Sequence, residues 1–460
     1  MEKWLSTALD YIPRWLEHQM RVTQQPGCAV AVVHKGKPVL DVALGLADER
    51  AGTALTPRHR FRVASHSKTF TAAGVLRLWD QGRLQLDDPV GRYVSGLHQL
   101  VARTTLAQLL SHGAGLVRDG ADASQWAERR PFLSDLELRA ELALPPTLEA
   151  NIRFKYSNHG FGLVGLAIEA ITGEPYADWI TREVIAASGL DATTPDVPIA
   201  RGAPFAHGHS SRLPLGRRLV VPAGMSTHAL AAATGFVSTA SDVARFFASL
   251  APEAKRSVLS VAARREMTRR HRRVPQAGDE RGYGLGVFNG SFHGWDWFGH
   301  TGGFPGTLSR TVTLPAQHLA ITVLTNAADG PSLAWVDGAL HILQGHQRHG
   351  APTRRTADWA GRWWSLWGAF DLLPMTDRVL VANPTFANPL LDASEITPGR
   401  RARDGSTLQG VIAQAPGLGS HGEPARLELD ARGRVKAFWL GGTRLVSEKA
   451  LARELEARYR

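Results

Sequence analysis

The chain has 460 residues, 43% hydrophobic and 21% charged, so it can bury large cores, and its length points to two or three domains rather than one. Its formal charge of +11 raises nucleic acid or an anionic membrane as a partner; but the basic residues are scattered over the whole chain and no stretch approaches 18 unbroken apolar residues, so neither is expected. Cys28 is the one cysteine and lies in the apolar run "PGCAVAVV", which excludes a disulfide framework or a multi-cysteine zinc site and reads as a small core residue.

Residues 1–22 set Trp4, Leu5, Ala8, Ile12, Trp15 and Leu16 on one side of an amphipathic helix, with Pro13 placed to kink or split it. This segment has neither the apolar centre nor the cleavage site of a signal peptide, so a cytoplasmic location is expected. "CAVAVVHKGKPVLDVALGLAD" reads as two strands joined by a turn at 34–37. After "VASHSKTF" a helix runs to about Leu84, with Gly82 near its stop. Residues 85–250 look mostly helical: a capping box opens at Thr105, "HGFGLVGLAIEAITG" closes at Gly173, and a third helix starts at Thr239. The cluster "RREMTRRHRR" (264–273) reads as a solvated helix face. Between 281 and 326 the pattern turns to strands.

Strands therefore occur at both ends of the first 340 residues with helices between them. The expected class is α+β, with N- and C-terminal strands sharing one antiparallel sheet around a helical insertion. The expected organisation is a domain over 1–343, a polar, basic linker over 344–357, and a small all-β barrel or sandwich over 358–460 that ends in a charged helix.

Three stretches carry chemistry. In "VASHSKTF", Ser65 and Lys68 lie one helical turn apart, so an amine can reach the hydroxyl. Serine is a poor nucleophile until a base takes its proton, and a buried lysine with a depressed pKa can be that base. A helix N-terminus also gives Ser65 an outward N–H suited to a developing oxyanion. In "FKYSNHGFG", Tyr156 can share a proton with such a lysine, and Asn158 offers an amide to a substrate carbonyl. In "FGHTGGFPG", the glycines after His300 and Thr301 let a substrate approach an edge strand, and the Gly303 N–H is a second oxyanion donor. His112 reads as a helix cap, His159 as structural, and His207 and His209 as loop residues too poorly spaced to bind metal. No H-E-x-x-H and no G-x-S-x-G occurs, so no metal and no cofactor is expected.

In this order, S-x-x-K, Y-x-N and H-T-G resemble the serine β-lactamase and penicillin-binding-protein superfamily. More narrowly they are similar to class C β-lactamases and peptidase family S12, which holds D-aminopeptidases, D-Ala-D-Ala carboxypeptidases and related esterases. "LLSHGAGL", "YSNHGFGLVGLAIEAITGEPYADWI" and "TGFVSTASDVARFF" extend the likeness over roughly residues 20 to 340. The resemblance implies a β-lactamase/transpeptidase-like fold in which Ser65 is acylated and Lys68 and Tyr156 exchange its proton. It implies that Asn158 orients the substrate amide, that His300 and Thr301 border the substrate strand, and that the N–H groups of Ser65 and Gly303 form the oxyanion hole. True β-lactamases usually carry lysine where His300 stands, which favours a peptidase, amidase or esterase over β-lactam hydrolysis.

The expected reaction is acyl transfer from a short, D-residue-containing peptide or a small ester, with peptide cyclisation open if an amine replaces water. A carboxylesterase with weak β-lactamase activity and a non-catalytic penicillin-recognising sensor are the alternatives; a homo-oligomer is allowed. The C-terminal stretches "WAGRWWSLWG" and "GEPARLELDARGRVKAFWLGG" resemble the lipocalin-like domain attached to some members.

Overall fold

A computed structural model describes residues 1–222, 224–275, 281–416 and 419–459. The chain forms two compact units, Gln25–Val336 and a second made of Met1–Gln24 with Asp337–Arg460.

The first unit is built on a nine-stranded antiparallel sheet. Strands Gly27–His34 and Lys37–Asp48 form the hairpin expected from sequence; Lys35 and Gly36 both take positive φ, as a tight two-residue turn requires. Gly27–His34 then pairs with Leu319–Thr325 from the far end of the unit, Cys28 facing Thr325 and His34 facing Leu319. Thr307–Leu314, Trp295–Phe304 and Phe288–Phe292 continue the sheet outward. Between its two halves lies the helical region. Its central helix, Ser67–Asp80, is buried on nearly all sides, packing Gly74 against Trp179 and Ile180. Asn158–Thr172 runs beside it and ends at Gly173 in the left-handed region. The Thr105–Gln108 capping box is present in both directions. One member of the arginine cluster departs from expectation: Arg264 is buried, with its guanidinium on the Ala251 and Ala254 carbonyls, while Arg265, Arg269 and Arg270 are exposed.

The second unit holds a nearly closed antiparallel barrel of eight strands in sequential order, from Gly361–Ser365 to Thr443–Leu445. Trp364 and Val446 exchange two backbone hydrogen bonds of 2.7 and 2.9 Å across the seam, the one bridge between the barrel's ends among the described residues. Trp359, Trp363, Leu372, Ile396, Ile412, Leu427 and Phe438 fill the interior, the packed lipocalin-like architecture the tryptophan-rich stretches suggest.

The unit boundaries differ from the sequence expectation. The helix Lys3–Thr23 runs unbroken through Pro13 and belongs with the barrel: Tyr11 donates to Asp371 at 2.8 Å, Gln19 Nε2 to the Pro384 carbonyl at 2.6 Å, and Trp15 covers Gly338. Burial of Leu5, Ile12, Trp15 and Leu16 offsets the hydrogen bond Pro13 cannot make. The expected linker is partly helical, since Ser332–His349 reaches past residue 344 and stops at Gly350, where φ is +79°. No described helix is long and apolar enough to cross a membrane.

Candidate active site

A short two-stranded pairing, Phe61–Arg62 with Val237–Ser238, delivers the chain to Ser65. Ala64 then takes φ +50°, a left-handed conformation that costs a residue with a Cβ on the order of 1 kcal/mol. That turn reverses the backbone into a 3-10 segment, Ala64–His66, leading directly into Ser67–Asp80. Ser67 holds the turn: its hydroxyl donates to the Ala64 carbonyl at 2.5 Å and accepts from the Phe236 N–H at 2.9 Å. Ser65 is thereby left half-buried while Lys68, one turn on, is fully buried.

Three groups distant in sequence meet at the Ser65 hydroxyl. Tyr156 donates to Ser65 Oγ at 2.8 Å, and Lys68 Nζ lies 3.2 Å from the same oxygen. Lys68 also donates to Asn158 Oδ1 and to the Ala233 carbonyl, each at 2.7 Å. Burial holds the Lys68 amine well below its ordinary pKa, with the nearby Asp119 opposing this and Arg118 adding to it. Burial pushes the Tyr156 phenol up. The two shifts favour a neutral amine beside a neutral phenol, so the pair can take and return a proton without holding a buried charge at rest.

Asn158 faces the protein rather than an open cleft. Its Oδ1 takes the lysine and its Nδ2 donates to Asp119 Oδ1 at 2.6 Å. The amide that the resemblance assigns to a substrate carbonyl thus holds Lys68 through its oxygen and Asp119 through one of its two N–H groups. Asp119 also accepts from Trp126 Nε1 at 3.0 Å and from Arg118 Nε at 3.0 Å. Neither Arg118 nor Asp119 stands out in sequence, because "GLVRDG" is an irregular loop with neither periodicity nor a motif.

His112 is both the helix cap expected from sequence and part of the site wall: it closes the helix Leu106–Leu110, its N–H bonding the Leu109 carbonyl at 3.2 Å and the next N–H, of Gly113, the Gln108 carbonyl at 2.7 Å. Its φ of +57° turns the imidazole onto the Tyr156 ring, with centroids 4.2 Å apart, and its Nδ1 accepts the Ser157 N–H at 3.1 Å. His300 is buried too: Tyr283 OH meets its Nε2 at 2.9 Å and the Thr301 carbonyl meets its Nδ1 at 2.6 Å. His66 sits between Thr311, Ser309 and the Val63 carbonyl. Desolvation holds His112 and His300 well below the usual imidazole range and brings His66 down to about 4.

All three therefore fold as neutral rings, while in the unfolded chain they bind protons below about pH 6.5. Their share of stability is complete above that value and is lost as pH falls toward their folded pKa values. At about 1.4 kcal/mol per group per pH unit, acidification from pH 7.5 to 5.5 should cost this unit on the order of 4 kcal/mol. Urea unfolding at the two pH values measures it, and a pH-independent midpoint contradicts it.

The strand Trp295–Phe304 runs directly against the serine turn. A Cβ on Gly302 would overlap the Val63 carbonyl, so only glycine permits this approach. Along it His300 is buried, Thr301 half-buried and Gly303 exposed. Among the described residues no cluster of three or more histidine, cysteine or acidic side chains could hold a metal ion; His209 instead bonds the Asn326 carbonyl and the Glu49 N–H.

A family model described as Beta-lactamase matches residues 12–344. The chain belongs to the beta-lactamase family. The relatives and solved structures it resembles include penicillin-binding-protein homologues, amidases and esterases. Esterase EstB of Burkholderia gladioli is 30% identical over 188 residues, which is 38% of this chain and 47% of the esterase. The chain thus spans less than half the length of the curated relatives it matches. Among solved structures, the octameric penicillin-binding protein homologue from Pyrococcus abyssi superimposes with a TM-score of 0.66 at 20% identity, over 95% of this chain and 99% of that one. A D-stereospecific amidohydrolase from Streptomyces sp. has a TM-score of 0.60 at 26% identity, covering 72% of this chain and 98% of its own.

Proposed function

We propose that this beta-lactamase-family hydrolase cleaves an amide or ester of a short, D-residue-containing peptide through an acyl-enzyme on Ser65. The observation that carries the reading is the convergence of the buried Lys68 amine and the Tyr156 phenol on one half-exposed serine oxygen, at 3.2 and 2.8 Å. Lys68 takes the Ser65 proton as Oγ attacks the acyl carbon; Tyr156 passes its proton to the leaving nitrogen or oxygen as the acyl bond breaks, and the proton on Lys68 returns to Tyr156. The N–H groups of Ser65 and Gly303 hold the oxyanion, with Thr301 along the substrate strand and His300 behind it. Water then releases the acid; an amine from the same peptide would release a cyclic product instead.

The D-peptide part of the reading is supported by the likeness to the Streptomyces D-stereospecific amidohydrolase. The likeness to EstB supports a second reading, a carboxylesterase with weak β-lactamase activity. Comparison of kcat/KM for D-Ala-p-nitroanilide, p-nitrophenyl esters and nitrocefin separates the two. A homo-oligomer and a cytoplasmic setting complete the proposal, the former because the Pyrococcus abyssi homologue is octameric. In Ser65→Ala, turnover of all these substrates should fall to background and a fluorophosphonate should no longer add its mass to the chain. Unchanged turnover in that variant would end both readings.

A further inference from the structure

We propose that Arg118 selects the substrate by anchoring a carboxylate carried close to the scissile bond; this rests on the acyl-transfer reading above. Three hydrogen bonds pin Val117–Asp119 to the Tyr156 segment: Ser157 Oγ to the Val117 carbonyl at 2.6 Å, Asn158 N–H to the Arg118 carbonyl at 2.9 Å, and Asn158 Nδ2 to Asp119 Oδ1 at 2.6 Å. Arg118 therefore keeps its place beside the phenol that bonds Ser65. Its guanidinium carbon lies 5.2 Å from the centre of the Tyr156 ring, and its Nε donates to Asp119 at 3.0 Å.

Held by a ring on one side and by a carboxylate at Nε, the guanidinium still presents its two terminal nitrogens as a fork. That geometry matches a carboxylate with two parallel N–H···O bonds. Among the described residues neither terminal nitrogen has a hydrogen-bond partner, and the Arg118 side chain is 65% exposed against 10% for Asp119. Asp119 cannot turn to a ligand, since its two oxygens are committed to Trp126, Asn158 and Arg118. The other basic groups of the site are closed off. Lys68 is fully buried with its nitrogen engaged, and His300 is a buried neutral ring with both nitrogens occupied. The positive charge left open to a ligand beside the Tyr156 ring belongs to Arg118.

Matched esters read this directly. p-Nitrophenyl hemisuccinate against p-nitrophenyl butyrate puts a carboxylate on the acyl side; 3-carboxyphenyl acetate against phenyl acetate puts it on the leaving group. In at least one pair the wild-type chain should favour the carboxylate by about tenfold in kcat/KM, with the preference weakening as salt is added. Arg118→Gln should cut that ratio by about tenfold, and Arg118→Lys should retain part of it. The ratio cancels any loss common to both esters, which is what a purely structural role would produce. A wild-type chain without carboxylate preference in either pair overturns the proposal whatever the variants do, as does a ratio that Arg118→Gln leaves untouched in both. Fluorophosphonate labelling keeps the two readings apart: no adduct on wild-type Ser65 sinks the acyl-transfer reading, while a labelled chain whose ratios ignore Arg118 sinks this inference alone.

Discussion

Lys68→Met lowers kcat/KM for any acylating substrate by on the order of a thousandfold or more, and the acid limb of the wild-type rate profile lies well below the ordinary lysine range. Methionine fills the fully buried site with a similar unbranched apolar stem, a thioether sulfur standing for the δ-methylene, and lacks the nitrogen. The nitrogen matters because of how its bonds are spent. A neutral amine has two N–H groups, and the Asn158 oxygen and Ala233 carbonyl at 2.7 Å are the two closest acceptors. In the neutral amine the remaining direction on Nζ is a lone pair facing Ser65 Oγ, 3.2 Å away, placed to take the serine proton while Tyr156 donates to the same oxygen.

Burial depresses the Lys68 pKa, raising the fraction of free amine at neutral pH, whereas burial of Tyr156 keeps its phenol protonated there. Activity should accordingly rise with pH as Lys68 loses its proton and should not wait for the phenol to ionise. A profile of kcat/KM against pH, with single-turnover acylation measured in Lys68→Met, checks both statements. An acid limb near the ordinary lysine pKa, or acylation in the variant at the wild-type rate, would move the base elsewhere.

Much of this site is legible in sequence because its main parts carry their own local signatures. Ser65 and Lys68 are one helical turn apart, and Tyr156 precedes an apolar helix whose start and Gly173 stop are both marked. The hairpin at Lys35–Gly36 and the strand pattern after 281 likewise announce the two halves of the sheet, since strand alternation and turn residues are local properties. What escapes is whatever depends on which way a side chain turns. Nothing around Asn158 in sequence says that a packed loop brings Asp119 to its Nδ2. His112 is the cap that the end of a helix suggests, but nothing local says that its ring lies on Tyr156. The N-terminal helix shows a clear apolar stripe, yet nothing local says that the stripe meets residues more than 300 positions away, as Tyr11 meets Asp371.

Asp196→Ala should destabilise the catalytic unit by about 3–5 kcal/mol, the largest loss expected from a single truncation outside the reacting groups. Asp196 Oδ1 pairs with Arg62 Nη1 at 2.7 Å, while Oδ2 accepts from Ser226 Oγ, Thr227 N–H and Thr227 Oγ1 at 2.7 to 2.9 Å. The Arg62 side chain is fully buried, its fork also donating to the Gly235 and Met225 carbonyls and its plane lying over Phe304. A lysine stripped of its partner could shed its proton, but a guanidinium cannot, so the variant must either bury an uncompensated charge or open the segment. That segment is the pairing of Phe61–Arg62 with Val237–Ser238, three residues ahead of Ser65, so acylation should fall along with stability.

The double variant Arg62→Met with Asp196→Ala removes the stranded charge. It should recover part of the loss, the remainder reflecting the Gly235 and Met225 carbonyls left without donors. Urea midpoints of the wild type, the single variant and the double variant, read together with fluorophosphonate labelling rates, test this. A double variant no more stable than Asp196→Ala alone would mean that carbonyl satisfaction, rather than charge compensation, is what holds the strand in place.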